Sequence, residues 1–132
     1  MINVGIVGST GRVGSLLIDD LGVDEQTKLS ACHVFDELTK PVPEGTVITN
    51  DMKTLLDVSD VVIDFSAPVA TEALLTEIVE NGGNKPLVIA TTGFNKHQEN
   101  LLLEASKKVP ILYATNMSIG VAVLNKLVSL AS

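Results

Sequence analysis

The chain has 132 residues, 45% of them hydrophobic, a formal net charge of −7 and one cysteine, Cys32. This length suffices for a single domain with a buried core, and the acidic charge argues against nucleic acid or an anionic membrane as the main partner. No apolar run approaches the ~18 residues of a membrane span, no secretory signal pattern opens the chain, and one cysteine excludes an internal disulfide framework. We therefore expect a cytoplasmic domain that binds neither nucleic acid nor membrane.

The first predicted element is an apolar strand over residues 2–7, which leads directly into a glycine-rich turn. Gly8, Gly11 and Gly14 are spaced three apart, and a helical pattern of leucines follows over residues 13–21. Glycines at such a junction permit a tight turn and a close approach of the backbone, and the first amides of the helix can then bind a pyrophosphate. The turn therefore predicts a dinucleotide or nucleotide site. The alternative is a turn that only lets the strand and the helix pack closely.

Strand-like and helix-like segments alternate over the rest of the chain. Further strands are predicted at residues 28–35, 46–49, 61–65, 87–90 and 111–114. Helices are predicted at residues 51–57, from Pro68 to the segment 81–83, at 96–108, and from Ile119 onward. This alternation predicts an α/β fold of the Rossmann type, a doubly wound parallel sheet in a single domain.

The last predicted helix is apolar over much of its circumference, which is typical of a helix with protein on more than one side. It either covers the sheet or belongs to a longer protein from which this chain has been cut, and we expect the second. Residues 1–116 would then form the dinucleotide-binding domain. Residues 117–132 would be a hinge and the first helix leading to a missing second domain.

Ligands of a doubly wound sheet bind beyond the carboxyl ends of its strands. Three predicted loops at such ends carry hydroxyl groups, an amide or glycines: residues 64–68, 90–94 and 114–120. Together they could border a nicotinamide and its ribose. Each is also an ordinary strand-to-helix turn, in which Ser66 and Ser118 would be helix N-caps.

No proton donor for catalysis is evident in the sequence. Cys32 and His33 lie in a predicted strand, where we interpret Cys32 as buried packing and His33 as a strand side chain or at most an adenosine contact. His97 lies on a predicted exposed helix and is expected to be a solvated surface residue. Their spacing provides no metal-ligand cluster.

The turn Gly-Ser-Thr-Gly-Arg-Val-Gly (8–14) and the loops Asp-Phe-Ser-Ala-Pro (64–68), Thr-Thr-Gly-Phe (91–94) and Asn-Met-Ser-Ile-Gly-Val (116–121) together resemble the bacterial dihydrodipicolinate reductase family. The resemblance implies a two-domain, usually tetrameric enzyme of lysine and diaminopimelate biosynthesis. It would pass a hydride from NADH or NADPH to the cyclic product of dihydrodipicolinate synthase. The family's substrate-binding and catalytic residues lie in a His-His…Lys…Asp-Ala-Pro-Ser-Gly-Thr region that is absent from this chain, so no catalytic residue and no metal ligand is expected here.

The resemblance also implies which residues bind the cofactor. The pyrophosphate would lie on Gly8, Ser9, Thr10, Gly11, Arg12 and Val13. The later loops would contribute Phe65, Ser66, Ala90, Thr91, Thr92, Ala114, Thr115, Asn116 and Met117. Asp36 lies 22 residues after Gly14, where a carboxylate binds the adenosine ribose hydroxyls and repels a 2′-phosphate. We therefore expect NADH to be preferred over NADPH.

Two other enzyme classes share part of the glycine pattern. A short-chain dehydrogenase needs a Tyr-x-x-x-Lys pair, but the sole tyrosine, Tyr113, is followed four residues later by Met117. A semialdehyde dehydrogenase needs a nucleophilic cysteine, and Cys32 lies too early in the chain. A non-catalytic NAD(P)- or nucleotide-sensing module that docks a partner through its last helix remains the open alternative.

Overall fold

The computed structural model of the chain describes residues 2–8, 27–33, 45–91 and 93–113. The helices predicted at residues 13–21 and from Ile119 onward lie outside these ranges, as does the predicted domain boundary after residue 116.

Within the described residues, six strands form one sheet in which every neighbouring pair is parallel. In chain order they are β1 (Ile2–Val7), β2 (Thr27–His33), β3 (Val47–Thr49), β4 (Val61–Asp64), β5 (Leu87–Ile89) and β6 (Ile111–Tyr113). Their order across the sheet is β3-β2-β1-β4-β5-β6. This is the order of dinucleotide-binding Rossmann sheets, and it reverses direction between β1 and β4. The predicted α/β, Rossmann-type fold is confirmed.

Three helices connect the strands in the described part of the chain: α1 (Met52–Asp57), α2 (Pro68–Asn81) and α3 (Lys96–Ser106). Pro68 suits the first turn of α2 because its φ is already helical and its missing N–H would have no partner there. A reciprocal capping box begins α3: the Asn95 side chain accepts a hydrogen bond from Gln98 N at 2.8 Å, and the Gln98 side chain accepts one from Asn95 N at 2.9 Å. None of these helices is long and apolar enough to cross a membrane.

Several predicted element ends are wrong by one or two residues. Phe65 and Ala90, predicted as strand residues, already belong to the following loops, although each still donates one backbone hydrogen bond to the neighbouring strand. Asp51 is the extended N-cap of α1 rather than its first residue. At the end of α3, residues 107–108 form a turn. Thr27 extends β2 by one residue because it pairs with Ile2 of β1.

The buried side chains of the strands alternate between the two faces of the sheet. In β4, Val62 packs in the cluster that also contains buried residues of α1, α2 and α3, whereas Val61 and Ile63 pack on the opposite face. A continuous apolar run is typical of a strand buried on both faces. Cys32 is fully buried in the second cluster, which confirms its interpretation as a packing residue.

Candidate functional site

In open α/β sheets a crevice forms at the carboxyl ends of the strands where the strand order reverses, which in this sheet are β1 and β4. Gly8 follows β1, and Phe65 and Ser66 follow β4. The two strand ends are tied together by a hydrogen bond from Phe65 N to Val7 O at 3.0 Å. Ligands of open α/β sheets bind at such a reversal, so the sheet brings these three residues to the place where a nucleotide would bind.

Gly8 cannot carry a side chain in this backbone. Its φ is +94°, a conformation that residues with a Cβ rarely adopt. A Cβ at Gly8 would also lie 2.9 Å from backbone atoms of Phe65 and from the backbone N of Ser66. Gly8 therefore lies directly against the loop that follows β4, and both constraints require glycine.

Asp64, the last residue of β4, is the centre of a buried hydrogen-bond network at the same edge of the sheet. Its Oδ1 accepts from Ser66 N at 2.9 Å, from the Ser66 hydroxyl, and from Thr91 Oγ1 at 3.2 Å. Its Oδ2 accepts from Thr71 Oγ1 at 2.6 Å, and the Thr71 and Thr91 hydroxyls are 2.9 Å apart. One carboxyl group therefore joins the loop after β4, the first turn of α2 and the loop after β5; we call these four residues the Asp64 network.

Burial raises the pKa of Asp64 above its ordinary value, because removal from water disfavours the charged carboxylate. The hydrogen bonds from Ser66, Thr71 and Thr91 act in the opposite direction, since they stabilise the charge. Asp64 is 0% exposed, so it cannot touch a ligand in the crevice and acts only through the residues that it binds.

The sequence analysis placed Asp64 in the candidate loop 64–68 but gave it no role of its own, and it did not single out Thr71. Asp64 carried a usable signal: it ends an apolar, β-branched strand, where a buried carboxyl group requires hydrogen-bond partners. Thr71 carried none, because its contact with Thr91 spans 20 residues and depends on how α2 packs against β5.

The structure places five of the predicted cofactor residues at the carboxyl edge of the sheet: Gly8, Phe65, Ser66, Ala90 and Thr91. The reading of Ser66 as a helix cap is wrong. Because Pro68 occupies the first helical position, the N-cap is Ala67, and the Ser66 hydroxyl bonds to Asp64 instead. Thr91 is 3% exposed with its hydroxyl in the Asp64 network.

The remaining predicted cofactor residues lie outside the described residues: Ser9, Thr10, Gly11, Arg12, Val13, Asp36, Thr92, Ala114, Thr115, Asn116 and Met117. Ser118 lies outside them as well.

The two histidines, His33 and His97, lie on β2 and α3. His33 ends β2 and is 3% exposed, which agrees with its reading as a strand side chain; burial lowers its pKa, against a hydrogen bond with the Asn50 backbone and the nearby carboxylates. His97 is exposed on α3, with Nε2 3.9 Å from Glu72 Oε1. Among the described residues, no group of three or more His, Cys, Asp or Glu side chains could hold a metal ion.

Comparison with known proteins supplies independent evidence. A family model described as "Dihydrodipicolinate reductase, N-terminus" matches residues 2–117. Over all 132 residues the chain is 71% identical to the 4-hydroxy-tetrahydrodipicolinate reductase of Aliarcobacter butzleri and 55% identical to that of Wolinella succinogenes. It covers 51% of each of these proteins, so the chain spans about half the length of the curated relatives it matches.

Solved structures show the same fold at low sequence identity. Dipicolinate-bound dihydrodipicolinate reductase from Paenisporosarcina sp. TG-14 superposes with a TM-score of 0.72 and 23% identity, over 99% of this chain and 53% of that one. NADP-bound aspartate semialdehyde dehydrogenase from Candida albicans gives a TM-score of 0.61 and 16% identity, over 91% and 44% of the two chains. At these identities the likeness establishes a shared architecture.

Proposed function

We propose a function on one premise: this chain belongs to the dihydrodipicolinate reductase family, whose N-terminal part it matches over residues 2–117. The chain forms the NAD(P)H-binding half of a 4-hydroxy-tetrahydrodipicolinate reductase. The whole enzyme, a cytoplasmic homotetramer, transfers a hydride to the cyclic precursor in lysine and diaminopimelate biosynthesis. The family match favours this function over a non-catalytic sensing module.

The observation that carries the proposal is the position of Gly8 at the reversal of strand order. Its positive φ and the lack of room for a Cβ fit the first glycine of a dinucleotide-binding motif, which makes the tight turn after the first strand. Residues 8–13 hold the pyrophosphate, and the free amides of a following helix neutralise part of its charge. The bound cofactor supplies the hydride.

The loops after β4, β5 and β6 border the nicotinamide and its ribose. Because the hydroxyls of Ser66 and Thr91 are engaged with Asp64, these two residues offer their backbone groups to the cofactor rather than their side chains. Ala90 is half-buried, and Thr92 and residues 114–117 are proposed to bind the cofactor as well.

Substrate binding and proton supply belong to a second domain that follows the hinge at residues 117–132. Asp64 does not serve as the general acid, because it is fully buried and a general acid must reach the reacting atoms. Asp36 binds the adenosine ribose and gives a preference for NADH.

The test is turnover with the product of dihydrodipicolinate synthase, generated in the same cuvette, while NADH oxidation is followed by absorbance. The full-length protein that contains this chain should oxidise NADH, and the 132-residue chain alone should not. A full-length protein without activity would contradict the proposed reaction. Appreciable turnover by the chain alone would contradict the placement of catalysis in a second domain.

A further inference from the structure

We propose that Asp64 is a positioning residue for the nicotinamide half of the cofactor. The proposal rests on the function proposed above and gives a role to Asp64, which the loop motif at residues 64–68 contains but to which no individual role was assigned. Asp64 does not touch the cofactor; it holds the loops after β4 and β5 in the arrangement that receives the nicotinamide ring.

The first argument is the set of elements that one carboxyl group joins. Ser66 lies in the loop after β4, Thr91 in the loop after β5 and Thr71 in the first turn of α2, and all three bond to Asp64. The backbone of Asp64 contributes as well, since its carbonyl accepts from Ala90 N at 2.9 Å. Two of the three loops that border the nicotinamide, those after β4 and β5, are therefore bonded to a single residue of the central sheet.

The second argument is the close packing around Ser66. Its backbone N donates to Asp64 at 2.9 Å and lies 2.9 Å from the point that a Cβ of Gly8 would occupy. A loop released from Asp64 would lose its fixed distance from Gly8. The position of Ser66 relative to Gly8 therefore depends on the carboxyl group.

The third argument is the free energy that the burial of the Asp64 carboxyl group costs the folded state. A fully buried carboxyl group carries a desolvation penalty, which the raised pKa of Asp64 reflects. A neutral apolar residue would avoid that penalty but would leave the hydroxyls of Ser66, Thr71 and Thr91 without their shared acceptor. The network therefore specifies one conformation of the two loops at some expense of stability.

The test compares two ligands on the full-length protein. NADH carries the nicotinamide ring, whereas ADP-ribose has the adenosine, the pyrophosphate and both riboses but no nicotinamide. NADH binding is followed by its fluorescence and ADP-ribose binding by calorimetry, while denaturant unfolding without ligand reports stability.

The main variant is Thr71→Val, because valine keeps the shape of threonine and removes only the hydroxyl from the network. Thr71→Ser restores a hydroxyl at the same position. The matched control is Ser59→Ala, because this substitution also removes a hydroxyl with buried hydrogen bonds. The Ser59 hydroxyl donates to Leu55 O at 2.7 Å and lies 3.1 Å from Ser30 Oγ. Ser59 precedes β4 and so lies at the opposite end of that strand from the crevice.

Thr71→Val is expected to weaken NADH binding about tenfold, as loss of one hydrogen bond to a charged group does, and to change ADP-ribose affinity less than about twofold. Thr71→Ser should recover most of the NADH affinity, and Ser59→Ala should lower stability with both affinities unchanged. Equal losses for both ligands, or a loss of stability with NADH affinity intact, would overturn the positioning role. Failure of the unsubstituted protein to bind NADH would instead contradict the proposed function itself.

Discussion

At Gly8 a positive φ and a close backbone contact both exclude a side chain. Comparison with Gly45, which has only the positive φ, separates the two effects. Gly45 has a similar φ of +90° but no atom within 4 Å of a Cβ built on it. We predict that Gly8→Ala lowers the free energy of unfolding by about 2–4 kcal/mol, from strain and overlap together. Gly45→Ala should cost about 1–2 kcal/mol, from strain alone. Urea denaturation measures both changes, and equal losses at the two positions would contradict the close approach.

Asp64 should give the stability an unusual dependence on pH. Its folded pKa is raised, so the folded state binds the proton more tightly than the unfolded chain does. The penalty of the buried charge is fully present above the folded pKa and is relieved as the pH falls through it. The free energy of unfolding of the native chain relative to Asp64→Asn should therefore rise between pH 7 and pH 4.5.

Denaturation series at several pH values measure this difference, and Glu99→Gln, which removes an exposed carboxylate of α3, is the control. A native chain that loses stability relative to Asp64→Asn on acidification would contradict the burial of the charge.

Asp36 carries a prediction about the choice of cofactor. A carboxylate at the end of the second strand binds ribose hydroxyls and repels a 2′-phosphate. Calorimetric titration of the native protein should give a lower Kd for NADH than for NADPH. In Asp36→Ser the ratio of these two Kd values should be closer to one. Tighter binding of NADPH by the native protein would contradict the assignment.

At the residue scale, the sequence predicted where a candidate residue lies in the fold better than it predicted the hydrogen-bond partners of its side chain. Gly8 was predictable because strand, turn and helix patterns meet there within a few residues. The bonds of Ser66 and Thr91 to Asp64 were not, since they depend on the packing of two loops against one buried carboxyl group. The bonds of Thr71 to Asp64 and Thr91 were not predictable for the same reason.

At the scale of elements, the capping box of α3 offers a local test. Asn95→Ala removes the side chain that accepts from Gln98 N and should lower the free energy of unfolding by about 1 kcal/mol. The control is Asn100→Ala at an exposed position within the same helix, where alanine favours helix formation. Circular dichroism during thermal unfolding measures both. A Tm for Asn95→Ala equal to that of the native chain would contradict the observed cap.

For each described element, the sequence predicted correctly whether it is a strand or a helix. The residues at which several of these elements begin or end were not predictable. Continuous apolar runs marked β4 and β5 because strands buried on both faces need them. Their last residues were misjudged, since Phe65 and Ala90 are apolar and still donate one backbone hydrogen bond to the sheet. Residue type does not distinguish such positions from the strand itself.

At the scale of the whole molecule, the alternation of strands and helices predicted the parallel sheet, and the structure adds the order of its strands. That order matters because it brings the loops after β1 and β4, which are far apart in sequence, to one crevice. The family model matches the N-terminal part of the reductase family, and the chain spans about half the length of the curated relatives.

The proposed second domain makes a prediction for the gene. The coding sequence beyond Ser132 should encode a His-His…Lys…Asp-Ala-Pro-Ser-Gly-Thr region within the next few dozen codons, because this chain covers 51% of its relatives. DNA sequencing reads this directly. A stop codon immediately after Ser132 would contradict the two-domain enzyme.

The central claim is that this chain holds the cofactor, and calorimetric titration of the 132-residue chain with NADH tests it most directly. Circular dichroism first establishes that the chain is folded. The account predicts saturable binding of one NADH per chain, weakened by Gly8→Ala. A folded chain that binds neither NADH nor NADPH would contradict it.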